Sequence, residues 1–188
     1  RAQLDTLSSA AAPGLILDLR NNPGGLLNSG IQVASQFVDE GPVMIERLQD
    51  GSERVYDSIP GGLATEIPMV VLINEGSASA AEIVASAMQD YERAVLVGQT
   101  TYGKGTVQSW IDLTDGNGAV RITYARWLSP GRRSVDETGI KPEVEVKLSL
   151  EDYEAGVDPQ LEAAETILLE AIPSMPTALN LDTETFTN

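Results

Sequence analysis

The chain has 188 residues, 42% of them hydrophobic, which suits one domain with a real core, or one domain and a tail. Twelve basic residues against 28 acidic ones give a net charge of −16, which repels phosphate backbones and argues against nucleic acid and anionic membranes as partners. There is no Cys and no His, so disulfides, zinc clusters, His-ligated metals and the Ser-His-Asp triad are excluded, and a base near neutral pH must be a carboxylate, a Lys or a Tyr.

Residues 1–11 read as the end of a helix, with no basic-then-apolar leader at Arg1. Gly14 to Leu19 is a buried-strand run, and Arg20 to Gly25 is a loop of strong breakers. Residues 27–38 predict a helix with Leu27, Ile31, Ala34 and Val38 on one face. Val43 to Leu48 and Ser52 to Tyr56 predict strands joined at Asp50-Gly51. Pro68 to Ile73 is a second buried strand, too short to span a bilayer. A helix follows from about Ser77 to Tyr91, then a strand at Ala94 to Val97. Gly105 to Leu113 and Ala119 to Trp127 alternate around Asp115-Gly116-Asn117-Gly118, a strong hairpin signal. Ser129 to Lys141 reads as a polar loop, Val144 and Val146 as a last strand, and Asp158 to Ile172 as an amphipathic helix. No Lys or Arg follows Lys147, and the last residues carry the composition of a disordered acidic tail.

Strand–loop–helix units recur at 14–38 and 68–92. They predict an α/β fold with a mainly parallel central sheet, flanking helices and an antiparallel hairpin. The strand-to-helix turns of such folds are where sites are usually placed.

Three stretches carry possible chemistry. In Gly76-Ser77-Ala78-Ser79-Ala80-Ala81-Glu82, Ser79 sits at the start of a helix whose apolar positions are 80, 83, 84, 87, 88 and 91. Unpaired N–H groups and the helix dipole there favour a developing negative charge, although Ser79-x-x-Glu82 is also the spacing of a plain capping box. In Gly103-Lys104-Gly105-Thr106-Val107-Gln108, a lysine stands between two glycines, with Gln108 on the same face of an extended strand. A lysine base needs its neutral form, which burial against apolar walls promotes. The bland alternative is an exposed loop lysine. In Asn21-Asn22-Pro23-Gly24-Gly25, adjacent glycines let backbone N–H groups approach a ligand, and with the Ala80 N–H they would make an oxyanion hole. Asp90 lies eleven residues beyond Ser79. That is roughly 16 Å along a continuous helix, so a structural role is expected. Gly98-x-x-x-x-Gly103-Lys104 matches the front of a phosphate loop, but Gly105 stands where that motif wants Ser or Thr.

Taken together, Leu15-Ile-Leu-Asp-Leu-Arg-Asn-Asn-Pro-Gly-Gly25, Asn74-Glu-Gly-Ser-Ala-Ser-Ala-Ala-Glu-Ile83 and Val97-Gly-Gln-Thr-Thr-Tyr-Gly-Lys-Gly-Thr-Val-Gln108 resemble the carboxy-terminal processing proteases. These are Ser–Lys serine peptidases related to tail-specific and tricorn-type proteases. Weaker similarity runs through Tyr124 to Pro130, Thr138 to Pro142 and Asp158 to Leu161. The resemblance implies Ser79 as nucleophile, Lys104 as general base, Gln108 beside it, Gly24 and Gly25 on the oxyanion side and Asp90 on the helix. It implies a fold similar to the crotonase and ClpP superfamily, with no metal or cofactor. It also implies cleavage of protein or peptide substrates near their C-termini, and an extracytoplasmic setting in the periplasm or cell envelope. The family usually carries a PDZ domain just before this region, and the expectation is that it belongs to the parent protein and lies outside this chain. The expected organisation is a peptidase core over 1–172, opening inside the family's catalytic domain, and a tail over 173–188. The rival expectations are a non-catalytic peptide-binding or scaffolding relative, an inactive truncated fragment, or a crotonase-like acyl-CoA enzyme.

Overall fold

The computed structural model describes residues 2–9 and 12–172, so the tail expected over 173–188 lies outside the described residues. At the centre is β4 (Met69–Ile73), whose five residues are all apolar and all buried. That composition suits a parallel strand covered on both faces. β1 (Leu15–Asp18) and β5 (Val95–Gly98) flank it in parallel, with Leu17 opposite Val71 and Val71 opposite Leu96. The two-residue β8 (Val144–Glu145) completes the order β1-β4-β5-β8.

Side chains alternate across a strand, so β4 serves two cores. Met69, Val71 and Ile73 join the main cluster with Ile31 and Ala34 of α2 (Leu27–Ala34) and with Ile83, Val84 and Met88 of α3 (Ala80–Asp90). Val70 and Leu72 pack with Ala164, Leu161 and Leu168 of α5 (Pro159–Ala171) on the opposite face. Leu4 of the opening helix α1 (Ala2–Ser9) also packs against the main cluster.

The remaining strands build a second sheet. β2 (Pro42–Leu48), β3 (Glu53–Asp57), β6 (Thr106–Asp112) and β7 (Ala119–Leu128) lie in the order β3-β2-β7-β6, all antiparallel. The α/β class and the parallel sheet are as the sequence led one to expect. The antiparallel part is larger than one hairpin. The hairpins β2–β3 and β6–β7 join along Ile45 to Leu48 and Ala125 to Leu128 into a sheet of their own.

Three elements differ from their sequence outline. The helix after β1 ends at Ala34, and the Phe37 and Val38 N–H groups both donate to the Ala34 carbonyl, so Val38 reaches the core from a turn. α3 is buried from Ala80 to Met88 on every side rather than along one stripe. Its small residues Ala81, Ala85 and Ser86 let other segments close over the non-stripe face. A short helix, α4 (Leu150–Ala155), was not foreseen. Ser149 and Asp152 form its capping box and Gly156, at φ 70°, ends it.

Candidate active site

Ser79 is the N-cap of α3, at the sharp turn out of β4. Its backbone takes φ 55° and ψ −117°, a conformation that costs a residue with a Cβ about 1–3 kcal/mol and persists only where the surroundings enforce it. Such a strand-to-helix turn holds the serine hydroxyl clear of its neighbours. The loop between β1 and α2 does the enforcing. The Ala78 N–H donates to the Asn22 carbonyl at 2.9 Å, the Ser77 hydroxyl to the Leu19 carbonyl at 2.7 Å, and Asn74 Nδ2 to Asn21 Oδ1 at 3.0 Å. Gly24 passes so close that a Cβ there would stand 2.7 Å from the Ala80 nitrogen and 2.8 Å from the Ser79 Cβ.

Glu82 is fully buried, one turn into α3. Its Oε2 accepts the Ser79 N–H at 2.8 Å and the Lys104 N–H at 2.9 Å. Its Oε1 accepts the Thr101 hydroxyl at 2.6 Å and the Gly103 N–H at 2.7 Å. One carboxylate therefore grips the backbones of both Ser79 and Lys104. Four donors replace the water that a buried carboxylate loses. The Ser79 hydroxyl lies over the Glu82 N–H in capping-box fashion, without a hydrogen bond of normal geometry.

Lys104 lies in the connection from β5 to β6, which crosses from one sheet to the other. The indole N–H of Trp127, 2% exposed, donates to the Lys104 carbonyl at 2.9 Å. On the other side, Gly103 and Gly105 abut the 135–139 loop so closely that a Cβ at Gly105 would meet the Asp136 nitrogen at 2.6 Å. Gln108 sits at a register shift between Val107 and Gln108, and its Nε2 donates to Thr123 Oγ1 at 3.0 Å.

These elements enclose a cavity of about 120 Å³ lined by Gly25, Ser79, Ala80, Lys104, Gln108, Arg121 and Trp127, among others. Five residues singled out from the sequence thus meet in one place: Ser79, Lys104, Gln108, Gly25 and Ala80. Among the described residues neither the Gly25 nor the Ala80 N–H has a protein acceptor. Gly24 corrects the expectation of a donor: its N–H is spent on Asn22 Oδ1 at 3.0 Å, and it does not line the cavity. What Gly24 contributes is close approach. Asp90 is also absent from the cavity lining. It accepts the Gly131 N–H at 2.7 Å and pairs with Arg133, tying the end of α3 to the loop after β7. Among the described residues no group of three or more metal-ligating side chains is assembled.

Three residues of the site were not read from the sequence as such. Glu82 was visible only as a cap partner, and its reach to Lys104 carries no local signal. Trp127 lies on the stretch of β7 that pairs with β2, a long-range pairing, and Arg121 lies on the β6–β7 hairpin, whose turn signal predicts the pairing but not its place at the cavity.

A family model described as peptidase family S41 matches residues 1–146. The carboxyl-terminal-processing protease of Synechocystis sp. is 38% identical over 187 residues, covering 93% of this chain and 43% of that protein. The carboxy-terminal processing protease CtpA of Bacillus subtilis is 42% identical over 151 residues, covering 80% of this chain and 32% of that protein. Among solved structures, the photosystem II D1 C-terminal processing protease superposes with a TM-score of 0.71 at 37% identity, over 76% of this chain and 36% of that one. The chain spans less than half the length of these relatives.

Proposed function

This chain belongs to peptidase family S41, and we propose that it is a serine endopeptidase core in which Ser79 is the nucleophile and Lys104 the general base. The observation that carries this reading is the convergence of the two residues on one cavity, with both backbones held by the buried Glu82 carboxylate. The strained turn at Ser79 and the two unpaired amides beside it support the same reading.

In this mechanism the Ser79 Oγ attacks the scissile carbonyl carbon while the neutral Lys104 amine takes the hydroxyl proton. The tetrahedral oxyanion receives hydrogen bonds from the Ala80 and Gly25 N–H groups at the positive end of α3. As the C–N bond breaks, Lys104 returns the proton to the leaving amine. Water, deprotonated by Lys104, then hydrolyses the ester, and Ser79 regains its proton. Gln108 orients the amine without adding charge. Asp90 keeps α3 docked and takes no part in the chemistry. We further propose that the substrates are proteins cut near their C-termini, and that the protein works outside the cytoplasm. Among the described residues no helix is long and apolar enough to cross a membrane.

A fluorophosphonate probe tests the dyad, because it reacts only with an activated serine. The wild-type chain is expected to label at Ser79, confirmed by peptide mapping. Ser79→Ala is expected to abolish labelling, and Lys104→Ala to slow it by about 10²–10⁴-fold, the usual worth of a general base. Absence of labelling in the folded wild type, or labelling that survives Ser79→Ala, would overturn the proposal.

A further inference from the structure

Arg121 is the one described arginine with no ion pair or hydrogen bond among the described residues. Six others pair with a carboxylate, and Arg93 donates to the carbonyls of Phe37, Ala64 and Ile67. In a chain with 28 acids, this is not for want of partners. Arg121 lies directly opposite Trp110 on the β6–β7 arm, and its guanidinium carbon stands 5.9 Å from the centroid of that ring. A cation–π contact of this kind leaves the guanidinium N–H groups free to bind a ligand.

Arg121 also lines the cavity that holds Ser79, Lys104 and Gln108. Of the residues lining that cavity only Arg121 and Lys104 are basic. Arg121 therefore puts a permanent positive charge on the wall of the cavity that holds Ser79. An unmodified peptide carries only one kind of anion, the carboxylate, and a planar guanidinium fork matches it in two parallel hydrogen bonds.

We propose that Arg121 is a specificity-determining residue that pairs with a carboxylate of the bound peptide close to the scissile bond. The carboxylate is either the terminal α-carboxylate or an acidic side chain. The proposal rests on the peptidase reading above and deepens it, by assigning part of substrate choice to the catalytic core itself.

The test uses the 188-residue chain carrying Ser79→Ala, so that bound peptide is not consumed. Four fluorescein-labelled decapeptides of one Ser/Ala-rich sequence are compared by fluorescence anisotropy. They end in a free acid or an amide, and carry Glu or Gln three residues from that end. A charge-assisted pair is expected to favour the carboxylate-bearing member of one couple by about 10- to 100-fold. Arg121→Gln is expected to erase that preference, and Arg121→Lys to restore part of it. Loss of discrimination in the acid/amide couple identifies the terminal carboxylate, and loss in the Glu/Gln couple identifies a side chain. In parallel, the wild-type chain with Ser79 intact is treated with the uncharged fluorophosphonate, which reads the serine chemistry separately from peptide choice. A preference absent from the parent chain, or unchanged by Arg121→Gln, would overturn the proposal while labelling leaves the peptidase reading standing. Absence of labelling in the wild type would bring down both.

Discussion

Glu82 shows how much of this site depends on one side chain that does not line the cavity. Its two oxygens accept four hydrogen bonds, from Ser79, Thr101, Gly103 and Lys104. Gln at this position keeps the shape but offers one oxygen and one NH2 group. Two of the four donors would then face another donor. An unsatisfied buried group costs about 1–3 kcal/mol, so Glu82→Gln is expected to lose about 2 kcal/mol or more of stability, read as a lowered Tm. A displacement of about 1 Å between reacting groups is worth about 10²-fold in rate, so Ser79 labelling should slow by that order. If Glu82 only positions the proposed dyad, peptide kcat falls while KM stays close to the wild-type value. A variant with lowered Tm but full labelling rate would reduce Glu82 to a plain helix cap. The sequence made half of this legible. The spacing of Ser79 and Glu82 announced a cap, whereas the bonds to residues 101–104 join segments about twenty positions apart, with no pattern to mark them. The positive φ of Ser79 was equally hidden, because it comes from the loop packed against the turn rather than from residue type.

Elements with strong periodicity or strong breakers were legible, and those set by long-range pairing were not. β4 and the β6–β7 hairpin announced themselves by an apolar run and by Asp115-Gly116-Asn117-Gly118. α4 buries no residue, so it lacks the apolar stripe that reveals a helix. The docking of α5 depends on its N-cap. The Asp158 carboxylate accepts the Leu161 N–H at 3.0 Å and the Arg20 guanidinium at 2.8 Å, joining α5 to the loop after β1. Arg20 holds the Asp158 pKa below the usual carboxylate range. A depressed carboxylate contributes stability that is fully present above its unfolded value of about 3.9 and is lost as pH falls through the lower folded value. Asn caps a helix about as well as Asp, so Asp158→Asn removes the charge and spares the cap. The variant is expected to melt below the wild type at neutral pH by about 1 kcal/mol or less, since the pair is partly solvated. The gap should hold from pH 8 to pH 5 and close below pH 4. A gap independent of pH in thermal melts would mean that the cap, not the ion pair, secures α5.

At the scale of the molecule the site lies on the seam between two sheets. Ser79 comes from the turn after a parallel strand, and Lys104 from the chain entering the antiparallel sheet. Trp127, on the antiparallel side, is buried in the same cluster as Val71 and Ile73 of β4, so one core fixes the two sheets together. The charge of the chain acts against that compactness. An excess of sixteen negative charges repels itself, and the repulsion extends over roughly a Debye length, about 30 Å at 0.01 M salt and about 8 Å at 0.15 M. Salt also weakens the seven ion pairs of the described residues, but each has one partner open to solvent, pairs of this kind are worth about 0–1 kcal/mol, and they are short enough to be screened little. Relief of the long-range repulsion should win. Raising salt from 0.01 to 0.15 M is expected to increase Tm by about 2–4 °C, the equivalent of about 1 kcal/mol in a chain of this size. The rate of Ser79 labelling by an uncharged probe should stay constant over the same range, because the Glu82 clamp is buried and beyond screening. A Tm that falls with salt would mean that the ion pairs outweigh the repulsion. A labelling rate that climbs with salt would mean that the seam itself opens at low ionic strength and that the proposed dyad is assembled only when the two sheets are pressed together.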